Sequence, residues 1–136
     1  MPFDIEAFKE LGRGRLPGLI GIEVDEIEVG HVRMHLPLRE ELLAPNGYLH
    51  AGTVVALADS ACGYGCIASL PDGASGFTTI ELKTNFLGTA LDGTVSCRSA
   101  LVHGGRTTQV WDATVEDDAE KVLALFRCTQ LILYPR

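Results

Sequence analysis

One carboxylate stands out in this chain of 136 residues. Asp59 is the single charge in Gly52–Leu70, a run of small and apolar residues. As a helix that run makes about five turns. A helix apolar on every side has to be enclosed, by protein or by membrane. A span needs roughly 18 uninterrupted apolar residues, and Asp59, Ser60, Gly63 and Gly65 break this one. The helix is therefore expected inside a soluble domain, holding a carboxylate where an unpaired charge is unfavourable. A carboxylate so placed can act as nucleophile or as general base. His50, Ala51 and Gly52 stand where the helix begins. The first N–H groups of a helix are unpaired and partly positive, so that of Ala51 or Gly52 suits a developing oxyanion. Glycine at 52 lets a ligand approach the backbone.

The remaining elements must wrap that helix. Ile5, Phe8 and Leu11 have helical spacing behind Asp4 as N-cap, which predicts a short amphipathic helix within residues 3–12. Leu19–Val29 alternates Ile20, Ile22, Val24 and Ile27 against acidic residues and reads as a strand. Gly30 turns the chain into a second strand, with Val32, Met34 and Leu36 on one face and His31, Arg33 and His35 on the other. Arg39–Pro45 is a charged, irregular connection, and the central helix is expected at about 52–69. After a PDGASG loop come four long β-rich runs, Phe77–Leu87, Gly93–His103, Arg106–Glu116 and Val122–Tyr134, with a tight turn at His103–Gly105. The prediction is one α+β domain, a buried helix inside a mostly antiparallel sheet of about six strands. Val122–Tyr134 and much of Phe77–Leu87 are apolar on both faces, and no further helix remains to cover them. Another copy of the chain is the expected cover.

Composition narrows the classes. The length suits a single domain, and 46% hydrophobic with 21% charged residues is ordinary for a globular protein. A net charge of −7 opposes a nucleic-acid surface. No apolar h-region opens the chain, so Cys62, Cys66, Cys97 and Cys128 are expected as reduced thiols in the cytoplasm. Their spacing fits no common zinc pattern, and His31 and His35 share a strand face without accompanying ligands, so no metal is expected. Nucleophile-elbow, P-loop and dinucleotide fingerprints are absent from the sequence. Gly63 and Gly65 read as close-packing positions.

Gly47–Asp59, GYLHAGTVVALAD, resembles the hotdog-fold acyl-CoA thioesterases, in particular their phenylacetate-degradation (PaaI-like) branch. That family carries G-x-x-H-[GA]-G before its central helix and an acidic residue nine positions after the histidine. Gly47, His50, Ala51, Gly52 and Asp59 occupy those places. Thr78–Ala90 resembles the family's next strand, and His103–Arg106 more weakly its basic hairpin turn. Two departures are visible. The usual HGG is HAG, and the asparagine often found six residues before the histidine is Ala44, with Asn46 two residues away.

The resemblance implies a hotdog fold that hydrolyses an acyl-CoA, with coenzyme A entering as part of the substrate and no other cofactor. It implies Asp59 as the catalytic carboxylate and the helix tip at Ala51 and Gly52 as oxyanion donor. Thr79 matches a position where the family often has Ser or Thr near the nucleophile. His50 is expected to orient the turn rather than to act as base. Asn46 and Gly47 are candidate substrate contacts, and Lys83 and Arg106 are candidates for the phosphates. Trp111 and Tyr64 read either as the lining of an acyl pocket or as core, which explains them at least as well. Asp59 lies roughly 12–14 Å along the helix from His50, so one helix cannot bring its own tip and its own acid to one carbonyl. Two helices side by side and antiparallel would form two shared sites. A homodimer is expected, or a homotetramer made of two dimers, with no nucleic acid or membrane as partner. Burial should raise the pKa of Asp59 and the partner's helix tip should lower it. Two rivals share the fold: an acyl-CoA hydratase or dehydratase, and a non-catalytic acyl-CoA-binding protein. The first looks like D-x-x-x-x-H, and position 64 is Tyr64.

Overall fold

A computed structural model describes residues 3–136. Helices α1 (Ile5–Gly12) and α2 (Leu16–Ile20) precede strands β1 (Glu23–Glu28) and β2 (His31–Pro37). A 3-10 turn at Glu40–Leu42 leads to α3 (Ala51–Ala68). Strands β3 (Gly76–Phe86), β4 (Thr94–Gly104), β5 (Thr108–Glu116) and β6 (Val122–Leu133) follow. All six strands form one antiparallel sheet in the order β1-β2-β4-β5-β6-β3. The sheet wraps α3, and the expected α+β architecture of a long helix held by six strands is the one observed.

Alternation decides what touches the helix. Val32, Met34 and Leu36 of β2, Val95 and Cys97 of β4, and Trp111, Ala113 and Val115 of β5 are buried, while their neighbours along each strand are more exposed. They enclose Leu57, Ala58, Ala61 and Cys62 of α3. Small residues on α3 let the strands close in. A Cβ at Gly65 would lie 2.5 Å from the Trp111 ring, and one at Gly63 would lie 2.9 Å from Phe77. Trp111 and Tyr64 are core, Tyr64 against Phe8 and the Trp111 indole N–H donating to Gln109. The four cysteines are free and buried.

One element departs from its sequence reading. The pattern of Leu19–Val29 predicts a continuous strand, but Leu16–Ile20 is helical and β1 begins at Glu23. Pro17 in the first turn fits a helix start, and Gly21 at φ +95 ends the helix in the left-handed region. The alternation of Ile20 with Ile22 thus spans the end of a helix.

The strand β3 is a sheet edge with a bulge. Phe77 and Thr79 pair with buried Ile132 and Gln130. The register then slips between Thr79 and Glu81, so that Leu82 and Thr84 oppose Cys128 and Phe126. Bulges re-aim side chains and occur beside functional sites. The strand also leaves Ile80, Leu82 and Phe86 exposed.

Candidate functional site

The turn before α3 is fastened by its own residues. Gly47 has φ +90, a conformation that favours glycine. Asn46 Oδ1 accepts the Tyr48 N–H at 3.1 Å, and Thr53 Oγ1 donates to the Leu42 carbonyl at 2.9 Å. His50 is the N-cap: its Nδ1 accepts the Gly52 N–H at 2.7 Å. An imidazole that accepts at Nδ1 carries its proton on Nε2. His50 Nδ1 is thus spent on the backbone of the turn and is not free to take a proton from water.

That cap leaves the N–H groups at the helix tip in different states. The Gly52 N–H is spent on His50, and the N–H groups of Thr53 and Val54 donate to the His50 carbonyl. The Ala51 N–H has no partner among the described residues, and it lies at the electropositive end of an 18-residue helix. Glycine at 52 also has a reason other than ligand approach. A Cβ there would lie 2.9 Å from His50 Nδ1 and displace the capping ring.

Beside the tip is a cavity of about 300 Å³. Leu16 and Ile20 of α2, Leu42 and Ala56 form its apolar walls, with Glu41, His50, Gly52 and Thr53 around it. The walls from α2 went unrecognised in the sequence, where Leu16 falls in no predicted element and Ile20 in a predicted strand. The signal for α2 was Pro17 followed by two glycines at 18 and 21.

Asp59 sits two and a half turns further along α3, half-buried. Burial pushes its carboxyl above the ordinary value of 3.8, and the hydrogen bond from Thr79 opposes that shift. Thr79 Oγ1 lies 3.0 Å from Asp59 Oδ1. It also lies 2.8 Å from the side-chain amide of Gln130, a fully buried residue of β6. Gln130 was missed in the sequence reading. Its signal is a polar residue in the inward series Ala124, Phe126, Cys128, Gln130, Ile132.

The other candidates lie elsewhere in the chain. Lys83 is on the outer face of β3 opposite Arg127, in a groove shared with Asn85 and Asp112, so the bulge turns it away from α3. Arg106 is at the β4–β5 turn, its guanidinium 5.4 Å from the Tyr134 ring centroid. A single chain thus assembles Asp59 with Thr79, and separately His50 with Ala51, Gly52, Asn46 and Gly47. It does not bring Lys83 or Arg106 to either group.

The thioesterase superfamily sequence pattern matches residues 46–124, which span the turn, α3, strands β3 to β5 and the start of β6. The chain is 36% identical to a 1,4-dihydroxy-2-naphthoyl-CoA hydrolase of Listeria monocytogenes over 110 residues, covering 81% of this chain and 89% of that protein. It superposes on a mutant thioesterase of Pseudomonas aeruginosa with TM-score 0.92 at 25% identity, covering 98% and 96% of the two chains. It also shares the fold of the PaaI protein from the Escherichia coli phenylacetic acid degradation operon, with TM-score 0.84 at 22% identity over 94% and 89% of the chains.

Proposed function

Because the chain belongs to the thioesterase superfamily and is a thioester hydrolase of the hotdog fold, we propose that it cleaves an acyl-CoA to the free acid and coenzyme A, using Asp59. The observation that carries this reading is the carboxylate itself: one half-buried acid on an otherwise apolar helix, gripped on one oxygen by Thr79. No other side chain among the described residues hydrogen-bonds it, which leaves Oδ2 to face water or substrate.

Chemistry proceeds at two helix tips. The Ala51 N–H of one subunit polarises the thioester carbonyl and receives the oxyanion. Asp59 of the other either attacks that carbon, forming an anhydride that water then opens, or takes a proton from the attacking water. Both routes place the acyl group on water oxygen and release the thiolate of coenzyme A. The cavity beside the tip, walled by Leu16, Ile20, Leu42 and Ala56, takes the acyl group. Its size and apolar walls suit a small or aromatic acyl, and the Listeria relative is named for a bicyclic aromatic one. Asn46 and Gly47, in the turn that leads into α3, are the further candidate substrate contacts. Lys83 and Arg106 are cations for the phosphates, reached from the dimer or from the exposed end of the nucleotide.

The dimer rests on the helix rise argued above and on β3. That strand is a sheet edge of 11 residues with Ile80, Leu82 and Phe86 exposed, apolar surface that pairing with another copy would cover. Two dimers could then associate as a tetramer. Four buried free thiols fit the reducing cytoplasm.

The test is thiol release from a panel of acyl-CoAs, aromatic and aliphatic, by the wild type and Asp59→Asn. We expect release from at least one aromatic acyl-CoA, and a kcat lower by on the order of 100-fold or more in the variant. Absence of release from every member refutes the activity; an undiminished rate in the variant refutes the role of Asp59 alone.

A further inference from the structure

With Asp59 ionised, the proton count around Thr79 does not close as the heavy atoms stand. Its hydroxyl has one proton and faces two acceptors, Asp59 Oδ1 at 3.0 Å and Gln130 Oε1 at 2.8 Å. Gln130 Nε2 meanwhile points at Cys128 Sγ, 3.4 Å away, a weak acceptor. Gln130 is fully buried, so water cannot supply the missing partners. A half-turn of the carboxamide closes the count. The amide N–H then donates to Thr79 Oγ1, Thr79 donates its only proton to Asp59, and the Cys128 S–H points at the amide oxygen. Amide nitrogen and oxygen are distinguished by such networks and not by shape.

From this geometry we infer that Gln130 is a positioning residue, whose amide N–H occupies the Thr79 lone pair and commits the Thr79 proton to the Asp59 carboxylate. Gln130 touches no reacting atom. It acts through Thr79, whose place opposite Gln130 is set by the β3–β6 register just before the bulge. In a chain of hydrogen bonds each donor polarises the next, so the amide strengthens the bond that reaches Asp59. Were the amide oxygen turned toward Thr79 instead, Gln130 would compete with Asp59 for the same proton. The two orientations therefore have opposite consequences for the acid.

The titratable neighbours do not blur that contrast. The sheet turns only the thiols Cys97 and Cys128 toward α3, and the helix itself carries Cys62, Cys66 and Tyr64. Burial pushes Cys62 and Tyr64 up, and Cys66 and Cys97 up to about 12. No second carboxylate and no basic side chain holds a buried, helix-facing strand position among the described residues. In the dimer the partner's helix tip adds its dipole equally in every variant.

The experiment follows the carboxyl carbon of Asp59 by 13C NMR through a pH titration, in the wild type, Gln130→Met, Thr79→Val and the double variant. Gln130→Met should move the Asp59 midpoint to higher pH, because the bond from Thr79 weakens. The double variant should match Thr79→Val, because the effect passes through that hydroxyl. A midpoint that is unchanged or lower in Gln130→Met overturns the inference, as does a further shift in the double variant. Should Gln130→Met not fold, the wild type answers alone. NOEs from the Gln130 amide protons to Thr79 support the relay, and NOEs to Cys128 without Thr79 refute it. Kinetics add a roughly two- to tenfold fall in kcat at little change in KM. The inference rests on the reading of Asp59 as the catalytic group for its kinetic consequence only. The titration and the NOEs report on the relay even if Asp59→Asn proves fully active.

Discussion

At the scale of single residues, the sign of the Asp59 shift makes a prediction about both rate and stability. Burial favours the protonated acid, so its folded pKa lies above the unfolded one. Stability from this group is fully present below the unfolded value and is lost as pH rises through the folded one. Catalysis needs the ionised form and runs the opposite way. The acid limb of kcat/KM should therefore fall above the ordinary carboxylate value of 3.8. Asp59→Asn, which cannot ionise, should lack that limb in any residual rate. It should also melt at a higher temperature than the wild type above the limb and show no such advantage well below it. Melting curves at fixed protein concentration across pH check the second part. Equal melting temperatures at every pH would mean that the ionised acid is fully compensated by neighbours other than Thr79.

At the scale of elements, α3 depends on having nothing at two positions. A methyl at Gly65 would sit 2.5 and 2.6 Å from carbons of the Trp111 ring, which is itself fully buried and has nowhere to go. Gly65→Ala should destabilise the protein by about 1–3 kcal/mol, even though alanine is the better helix former. Gly76→Ala is the control, since a Cβ there meets nothing within 4 Å, and should stay within about 0.5 kcal/mol. A denaturant titration of both variants measures the difference. Gly63 and Gly65 were readable in the sequence as packing positions because helix periodicity is local. The same locality explains why His50, Gly52 and Asp59 could be singled out: their relation is a spacing along one helix. Lys83 and Gln130 depend on something else. Which face of β3 Lys83 joins is set by a one-residue slip against β6, and which β3 residue faces Gln130 is set by the register of those two strands, remote in sequence; alternation alone gives neither. Leu19 and Ile20 failed for a related reason, since apolar residues on both sides of a helix end mimic alternation.

At the scale of the whole molecule, the decisive question is whether one active site takes its acid and its oxyanion donor from two chains. Two variants separate these contributions. Asp59→Asn removes the acid and keeps the tip. Ala51→Pro removes the N–H at the tip and keeps the acid. Proline is well placed there, because position 51 is the first residue of the helix and its N–H is unpaired within the chain. His50 before it already has φ −64 and ψ 132, the extended conformation that a following proline prefers. Each variant alone should be nearly inactive as a homodimer. In a mixed dimer with two-fold symmetric pairing, one site contains both lesions and the other contains neither. After co-refolding equal amounts, half the dimers should be mixed and each should hold one intact site, so about a quarter of wild-type activity should return. Thiol release measured before and after co-refolding gives the answer. If each site belonged to a single chain, every site in the mixture would carry one lesion and co-refolding would restore nothing.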